Sequence, residues 1–332
     1  MLEKKQIGKS TQSIWAGEQE YELYERSTQV PVVHSVSFGY KDIDTWHRVA
    51  LGETDGHIYS RNTNPTVRAF EDKVKELEGA QSATSFASGM AAISNTLATF
   101  LMPGDRIVSI KDSYGGTNVI FNEFLPPLNI DVCLCETGDY EQIENEINKG
   151  CTVLYLETPT NPTIKITDIK RLSSVAKKVG AIVVVDNTFA TPINQNPLEL
   201  GADIVLHSAS KYLGGHADAL GGVICGNEEL VEKVYHYREI NGAALAPMDA
   251  YSLLRGMKTL KLRVEHQNES AMIIARYLQS HPLIEQVNYP GLESHSGHEI
   301  AKKQMNGGYG GMLSFAAKGG LDAIKIFLPR LK

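Results

Sequence analysis

The chain has 332 residues, 42% of them apolar and 21% charged, with a formal net charge of −7. This is the composition of a soluble globular protein with a large core and room for more than one domain, and the acidic balance gives no reason to expect a nucleic-acid partner. No apolar run approaches the roughly 20 residues that cross a bilayer. The first residues, Met1 to Gln6, lack the apolar stretch of a secretory leader, and four cysteines are too few for a disulfide scaffold. A cytoplasmic protein without a membrane segment is expected.

Residues 1 to 58 are polar with little sustained periodicity and read as an extended arm carrying a short helix or two. From about residue 65 to 225, strand and helix patterns alternate. Arg68 to Leu77 places Ala69, Phe70, Val74 and Leu77 at helical spacing. Strands are expected at 83–86, 106–110, 130–134, 152–156, 182–185 and 204–206, and helices at 91–101, 140–148 and 169–179. Gly104-Asp105 and Gly180 punctuate the joints. Apolar strands alternating with helices argue for a mostly parallel sheet covered on both faces. Cys133 and Cys135 should share one strand face as small buried side chains. Further on, 228–240 reads as a helix, 248–279 as a long helical pattern with Gly256 as a break, Asn288-Tyr289-Pro290-Gly291 as a turn, and Met312 to Ala317 as a strand. These last elements suggest the start of a smaller α+β domain, whose pattern is unfinished at Leu331-Lys332.

The most informative residue is Lys211. The apolar strand at 204–206 runs into Ser208-Ala209-Ser210-Lys211-Tyr212 and then a glycine pair. A second apolar run, Ala181 to Val185, ends in Asp186. A lysine just past one strand and an acid at the end of another are what pyridoxal phosphate (PLP) chemistry requires. The amine condenses with the aldehyde, and the carboxylate keeps the pyridine nitrogen protonated. Alone, Lys211 would read as a surface lysine after a buried strand. The surrounding motifs change that reading: Tyr-Ser-Arg-Asn-Thr-Asn-Pro-Thr at 59–66, Ser-Gly-Met-Ala-Ala at 88–92, Tyr-Gly-Gly-Thr at 114–117, Glu-Thr-Pro-Thr-Asn-Pro at 157–162 and Val-Asp-Asn-Thr at 185–188. From about Tyr59 to its last residue the chain resembles the Cys/Met-metabolism family of PLP enzymes, which includes cystathionine gamma-lyase, cystathionine gamma-synthase and methionine gamma-lyase.

That resemblance implies a fold-type I PLP-dependent transferase, α/β, with an arm at 1–58, a PLP-binding domain at 59–256 and an incomplete C-terminal domain at 257–332. It implies phosphate contacts from Ser88, Gly89, Met90, Ser208 and Ser210, with Tyr59 and Arg61 reaching in from a neighbouring subunit. A helix N-terminus after Ser88, a close-approach glycine and a planar guanidinium all suit a dianion. Tyr114 would stack on the ring and handle protons of the substrate amine. Asn161 would bond the 3-oxygen, Asp186 the ring nitrogen, and Lys211 would be the catalytic amine; Glu157 would support its loop. No metal is implied. The partners implied are a sulfur amino-acid substrate and further copies of the chain, a homodimer with shared sites assembled into a homotetramer. The family's arginine for the substrate's alpha-carboxylate is expected beyond Lys332, and no arginine within the chain takes its role from sequence. Gly116 stands where methionine gamma-lyases usually carry a cysteine, which favours cystathionine gamma-lyase and gamma-synthase; the lyase is the first expectation, the gamma-synthase the next and methionine gamma-lyase the third, with a silent PLP-binding scaffold as the non-enzymatic alternative.

Overall fold

The computed structural model describes residues 8–17 and 27–331; the first six residues, read above for a leader, lie outside them. Seven strands form one sheet: β1 (Ser82–Phe86), β2 (Arg106–Ile110), β3 (Asp131–Cys135), β4 (Val153–Glu157), β5 (Ile182–Asp186), β6 (Ile204–Ser208) and β7 (Gly222–Gly226), in the order β1-β7-β6-β5-β4-β2-β3. β3, β2, β4, β5 and β6 run parallel, while β7 lies antiparallel to both β1 and β6. The sheet is therefore mostly parallel, as expected, with one reversed strand that the sequence pattern missed. Gly221 and Gly222 obscure the start of that strand. A Cβ at Gly222 would meet the Ser88 carbonyl oxygen at 2.2 Å, so only glycine lets the two backbones pass.

Every residue of β4 is buried because helices cover both faces. Val153 and Tyr155 of β4, Val184 of β5 and Ile204 and Leu206 of β6 pack on one face with the helix Gly89–Phe100. Leu154 and Leu156 face the other way with the helix Ile169–Ala176. On that second face, nearer β7, the helix Pro65–Glu78 buries Phe70, Val74 and Leu77 completely. Each such side chain contributes about 1.5–3 kcal/mol by leaving water. This helix begins earlier than its periodicity suggests, because the Asn64 side chain accepts from the Thr66 and Val67 amides and Pro65 occupies the first turn.

The expected long helix is two: Pro247–Met257 and Leu260–Ser280. Gly256 sits inside the first helix rather than breaking it. A Cβ there would lie 2.0 Å from the Gly214 carbonyl oxygen, so the glycine serves a close approach to the segment after Lys211. Beyond it, β8 (Ile284–Asn288) and β9 (Ser314–Ala317) form a separate antiparallel pair. Leu313 packs beside Tyr289, whereas Ile326 and Phe327 remain exposed. Cys133 and Cys135 lie on one face of β3 with sulfurs 4.0 Å apart, and burial raises both thiols. Among the described residues no group of His, Cys, Asp and Glu could hold a metal, and no helix is long and apolar enough to cross a membrane.

Candidate active site

The carboxyl ends of the parallel strands open into a cavity of about 780 Å³. In open α/β sheets this edge is where ligands bind, because loops there diverge and helix N-termini point inward. β1 delivers Ser88, Gly89 and Met90, the loop after β2 delivers Tyr114, and β4 delivers Glu157 and then Asn161. Asp186 comes from the end of β5, and Ser208, Ser210 and Lys211 from the end of β6 and the turn after it; all of these line the cavity. Period-two alternation puts Glu157, Asp186 and Ser208 on the same face as Tyr155.

The helix Gly89–Phe100 begins at the cavity wall. Ser88 Oγ accepts the Ala91 amide at 3.1 Å, and the amides of Gly89 and Met90 have no acceptor within the helix. Gly89 approaches β6 so closely that a Cβ would fall 2.7 Å from that of Ser208. Opposite, Ser210 Oγ accepts the Gly221 amide at 3.0 Å, and Thr188 Oγ1 accepts the Ser208 amide at 2.9 Å. These contacts leave a concave wall of amides and hydroxyls suited to an anion.

Asp186 is buried, and burial raises its carboxyl above the usual range despite a 2.9 Å bond from the Thr188 amide. Glu157 is raised for the same reason, and Asp186 beside it adds to the effect. The Tyr155 phenol lies 3.5 Å from Asp186, a long contact. Two carboxylates facing one desolvated cavity are costly unless a cation joins them. Glu157 does more than support its own loop. One oxygen accepts the Tyr114 amide at 2.7 Å and the other the Asn161 amide at 2.9 Å, so a single carboxylate ties together the two loops that flank the cavity. Lys211 stands exposed at the cavity rather than buried.

Thr188, Tyr212, Arg263 and Gln267 also line the cavity and were not foreseen. Asp186-Asn187-Thr188 was a legible signal for the first. Arg263 comes from a distant helix with no local motif, and it is not a free anion clamp. Its guanidinium donates to the carbonyls of Tyr212 at 3.0 Å and Gly256 at 2.9 Å, and to Thr259 Oγ1 at 3.0 Å. Tyr59 and Arg61 are the two expected residues that do not line this chain's cavity. Arg61 Nε donates to the Glu239 carbonyl at 2.8 Å, with its guanidinium over the Tyr59 ring.

Residues 10–332 match the model of the Cys/Met metabolism PLP-dependent enzyme family. The chain belongs to that family. The match begins well before Tyr59, so the arm is part of the family pattern. The chain is 42% identical to an L-methionine gamma-lyase of Fusobacterium nucleatum subsp. polymorphum over 100% of its own length and 84% of the relative's. It is 43% identical to a cystathionine gamma-lyase of Bacillus subtilis, over 90% and 78%. The solved cystathionine gamma synthase from Xanthomonas oryzae pv. oryzae, in complex with aminoacrylate and cysteine, superposes with a TM-score of 0.91 at 33% identity, covering 99% of this chain and 82% of that one. The protein is thus a PLP-dependent enzyme of sulfur amino-acid metabolism. The cavity suits that cofactor: an amide and hydroxyl wall for a phosphate, a buried acid raised by desolvation for a ring cation, and a lysine for an aldehyde.

Proposed function

We propose that the pocket carries out gamma-elimination on cystathionine, giving cysteine, 2-oxobutanoate and ammonia with uptake of one water. When bound, PLP supplies an aldehyde that takes up amines and a protonated ring that accepts the electrons of a breaking bond. Gly89 and Met90 amides with Ser88, Ser208 and Ser210 would hold the phosphate, Asn161 the 3-oxygen, and Asp186 the ring nitrogen in its protonated form. Tyr114 would lie on the ring and handle a proton of the substrate's amine. Lys211 would remove the proton at the substrate's Cα and move protons onward until the group on Cγ departs. Tyr59 and Arg61 do not line this chain's cavity, which supports their service in a partner's pocket and hence a homodimer. The division into an arm at 1–58, a cofactor domain at 59–256 and a smaller domain at 257–332 is part of the same reading.

The observation that weighs against methionine as the substrate is Gly116. A Cβ there would lie 2.7 Å from Met90 Sδ and 2.9 Å from the Tyr114 ring, so a cysteine requires both pocket residues to move. That supports the cystathionine enzymes over the cysteine-bearing methionine gamma-lyase pattern. Gamma-replacement on an activated homoserine uses the same residues and is the second reading, supported by the superposition on a gamma-synthase. Product analysis decides. Cystathionine alone should yield 2-oxobutanoate and cysteine. Formation of cystathionine from an acylated homoserine and cysteine, without breakdown of cystathionine, would establish the synthase instead, and faster release of methanethiol from methionine would establish the methionine lyase.

A further inference from the structure

Behind the pocket, on the opposite face of the sheet, the buried side chains of Gln304, Gln195, Asn187 and Glu78 form a line; none is more than 5% exposed. The Ile169 amide donates to Gln304 Oε1 at 3.3 Å, and Gln304 Nε2 donates to Gln195 Oε1 at 3.1 Å and to the Thr167 carbonyl at 3.1 Å. Gln195 Nε2 donates in turn to Asn187 Oδ1 at 2.9 Å and to the Thr158 carbonyl at 3.2 Å. Asn187 Nδ2 donates to Glu78 Oε1 at 2.8 Å; the same oxygen meets His207 Nε2 at 2.7 Å, and Asn196 Nδ2 donates to Glu78 Oε2 at 3.1 Å.

The chain has one direction. A backbone N–H at its start can only donate, and a carboxylate at its end accepts, so each amide between them has a single orientation. Hydrogen bonds aligned head to tail reinforce one another where water is excluded. The chain also touches the pocket from behind at two places. Asn187 follows Asp186, and Thr158 lies between Glu157 and Pro159, at the root of the loop that carries Asn161. Its far end is the helix His298–Gln304, which packs through Ala301 against Ile166 and Ala190. A second tie from the same region, His295 Nε2 to the Ile164 carbonyl at 3.0 Å, holds the middle of the Asn161 loop. Ile164 adopts φ 53°, a left-handed conformation strained for a β-branched residue, so that loop needs external support.

We propose that Gln195 and Gln304 are positioning residues: their directed amide chain sets Asp186 and the Pro159–Asn161 loop, and through it the helix His298–Gln304 governs how tightly the cofactor is held. The proposal rests on the reading of the pocket as the PLP site, and wild-type uptake of PLP in the same titration tests that reading separately.

The test is Gln304→Glu beside Gln304→Met, with PLP affinity measured by equilibrium dialysis. Glutamate keeps the shape and the acceptor for the Ile169 amide, but when ionised it has no donor for Gln195 or Thr167. A buried carboxyl is raised, and once protonated it donates again. Relative to wild type at the same pH, Gln304→Glu should bind PLP about tenfold more weakly at about pH 8, because two buried acceptors lose their donor. It should recover part of that loss at about pH 6, where a raised carboxyl is protonated and its single O–H again serves one of the two acceptors. Gln304→Met should be weak at both. Unfolding curves of the cofactor-free variants should remain cooperative. If the methionine variant does not fold, Gln195→Met replaces it and should likewise be weak at both, while Gln195→Glu, which loses the donors to Thr158 and Asn187 only when ionised, should show partial recovery in acid. Wild-type affinity in Gln304→Glu at about pH 8, or a loss equal at both pH values, overturns the proposal; the second result marks simple loss of packing.

Discussion

Gly89→Ala is the smallest change that should close the proposed phosphate cradle. The added methyl would lie 2.7 Å from Ser208 Cβ, 2.8 Å from its Oγ and 3.0 Å from its Cα. Carbon atoms prefer about 3.5–4.0 Å, so the overlap approaches 1 Å. Ser208 cannot swing aside, because it is a strand residue facing Gly222 across the ladder and its amide is held by Thr188 at 2.9 Å. Overpacking of this kind costs about 1–3 kcal/mol. If that cost falls on the ligand-bound geometry, PLP affinity drops by about 5- to 150-fold. Fluorescence titration of the cofactor-free protein with PLP reads the loss, and a thermal melt of the same sample reads the part that falls on folding. An alanine variant that binds PLP as tightly as wild type and melts at the same temperature would show that the start of this helix is not the cradle.

Asp186→Asn should fold but be nearly inactive, since an amide cannot hold a ring nitrogen protonated; full turnover in a steady-state assay would assign that role elsewhere. Glu157→Gln should change the pH dependence of stability. Burial, helped by Asp186, raises the Glu157 carboxyl above its ordinary 4.5, so the folded cofactor-free protein keeps a proton that the unfolded chain has lost. Its stability therefore falls as pH rises from about 4.5 toward the raised value. Urea midpoints of Glu157→Gln across that range should fall less steeply, and an unchanged slope would contradict the stated cause. Arg61→Ala should weaken PLP binding, and mixing it with Lys211→Ala should restore part of the activity, because a mixed dimer then contains one intact site. No rescue after verified subunit exchange would count against a shared pocket.

The parts of the fold that were readable in the sequence are those in which a short segment carries its own signal. Apolar runs ending in Asp186 or Ser208 marked both the strands and their chemistry, because a strand's carboxyl end and a pocket residue are the same place in this architecture. Ser88-Gly89 was readable because a helix start needs a cap and a close approach needs glycine. What escaped depends on partners distant in sequence. β7 is recognisable only by its pairing with β1 and β6, and its glycines resemble a loop until Ser88 is placed against them. The role of Glu157 depends on two amides from different loops. Gln195 and Gln304 look like ordinary polar residues in a linear reading and become significant only when buried 3.1 Å apart. Gly256 was assigned as a helix break because its packing against Gly214 has no local trace.

The central claim is that Lys211 is the amine that takes up PLP in a pocket made by the strand ends. Borohydride reduction of the protein with PLP, followed by digestion and mass mapping, tests it directly. One pyridoxyl group per chain is expected, on the peptide that contains Lys211, and none on that peptide in Lys211→Ala. A label on a different lysine, or a Lys211→Ala protein labelled as fully as wild type, would contradict it.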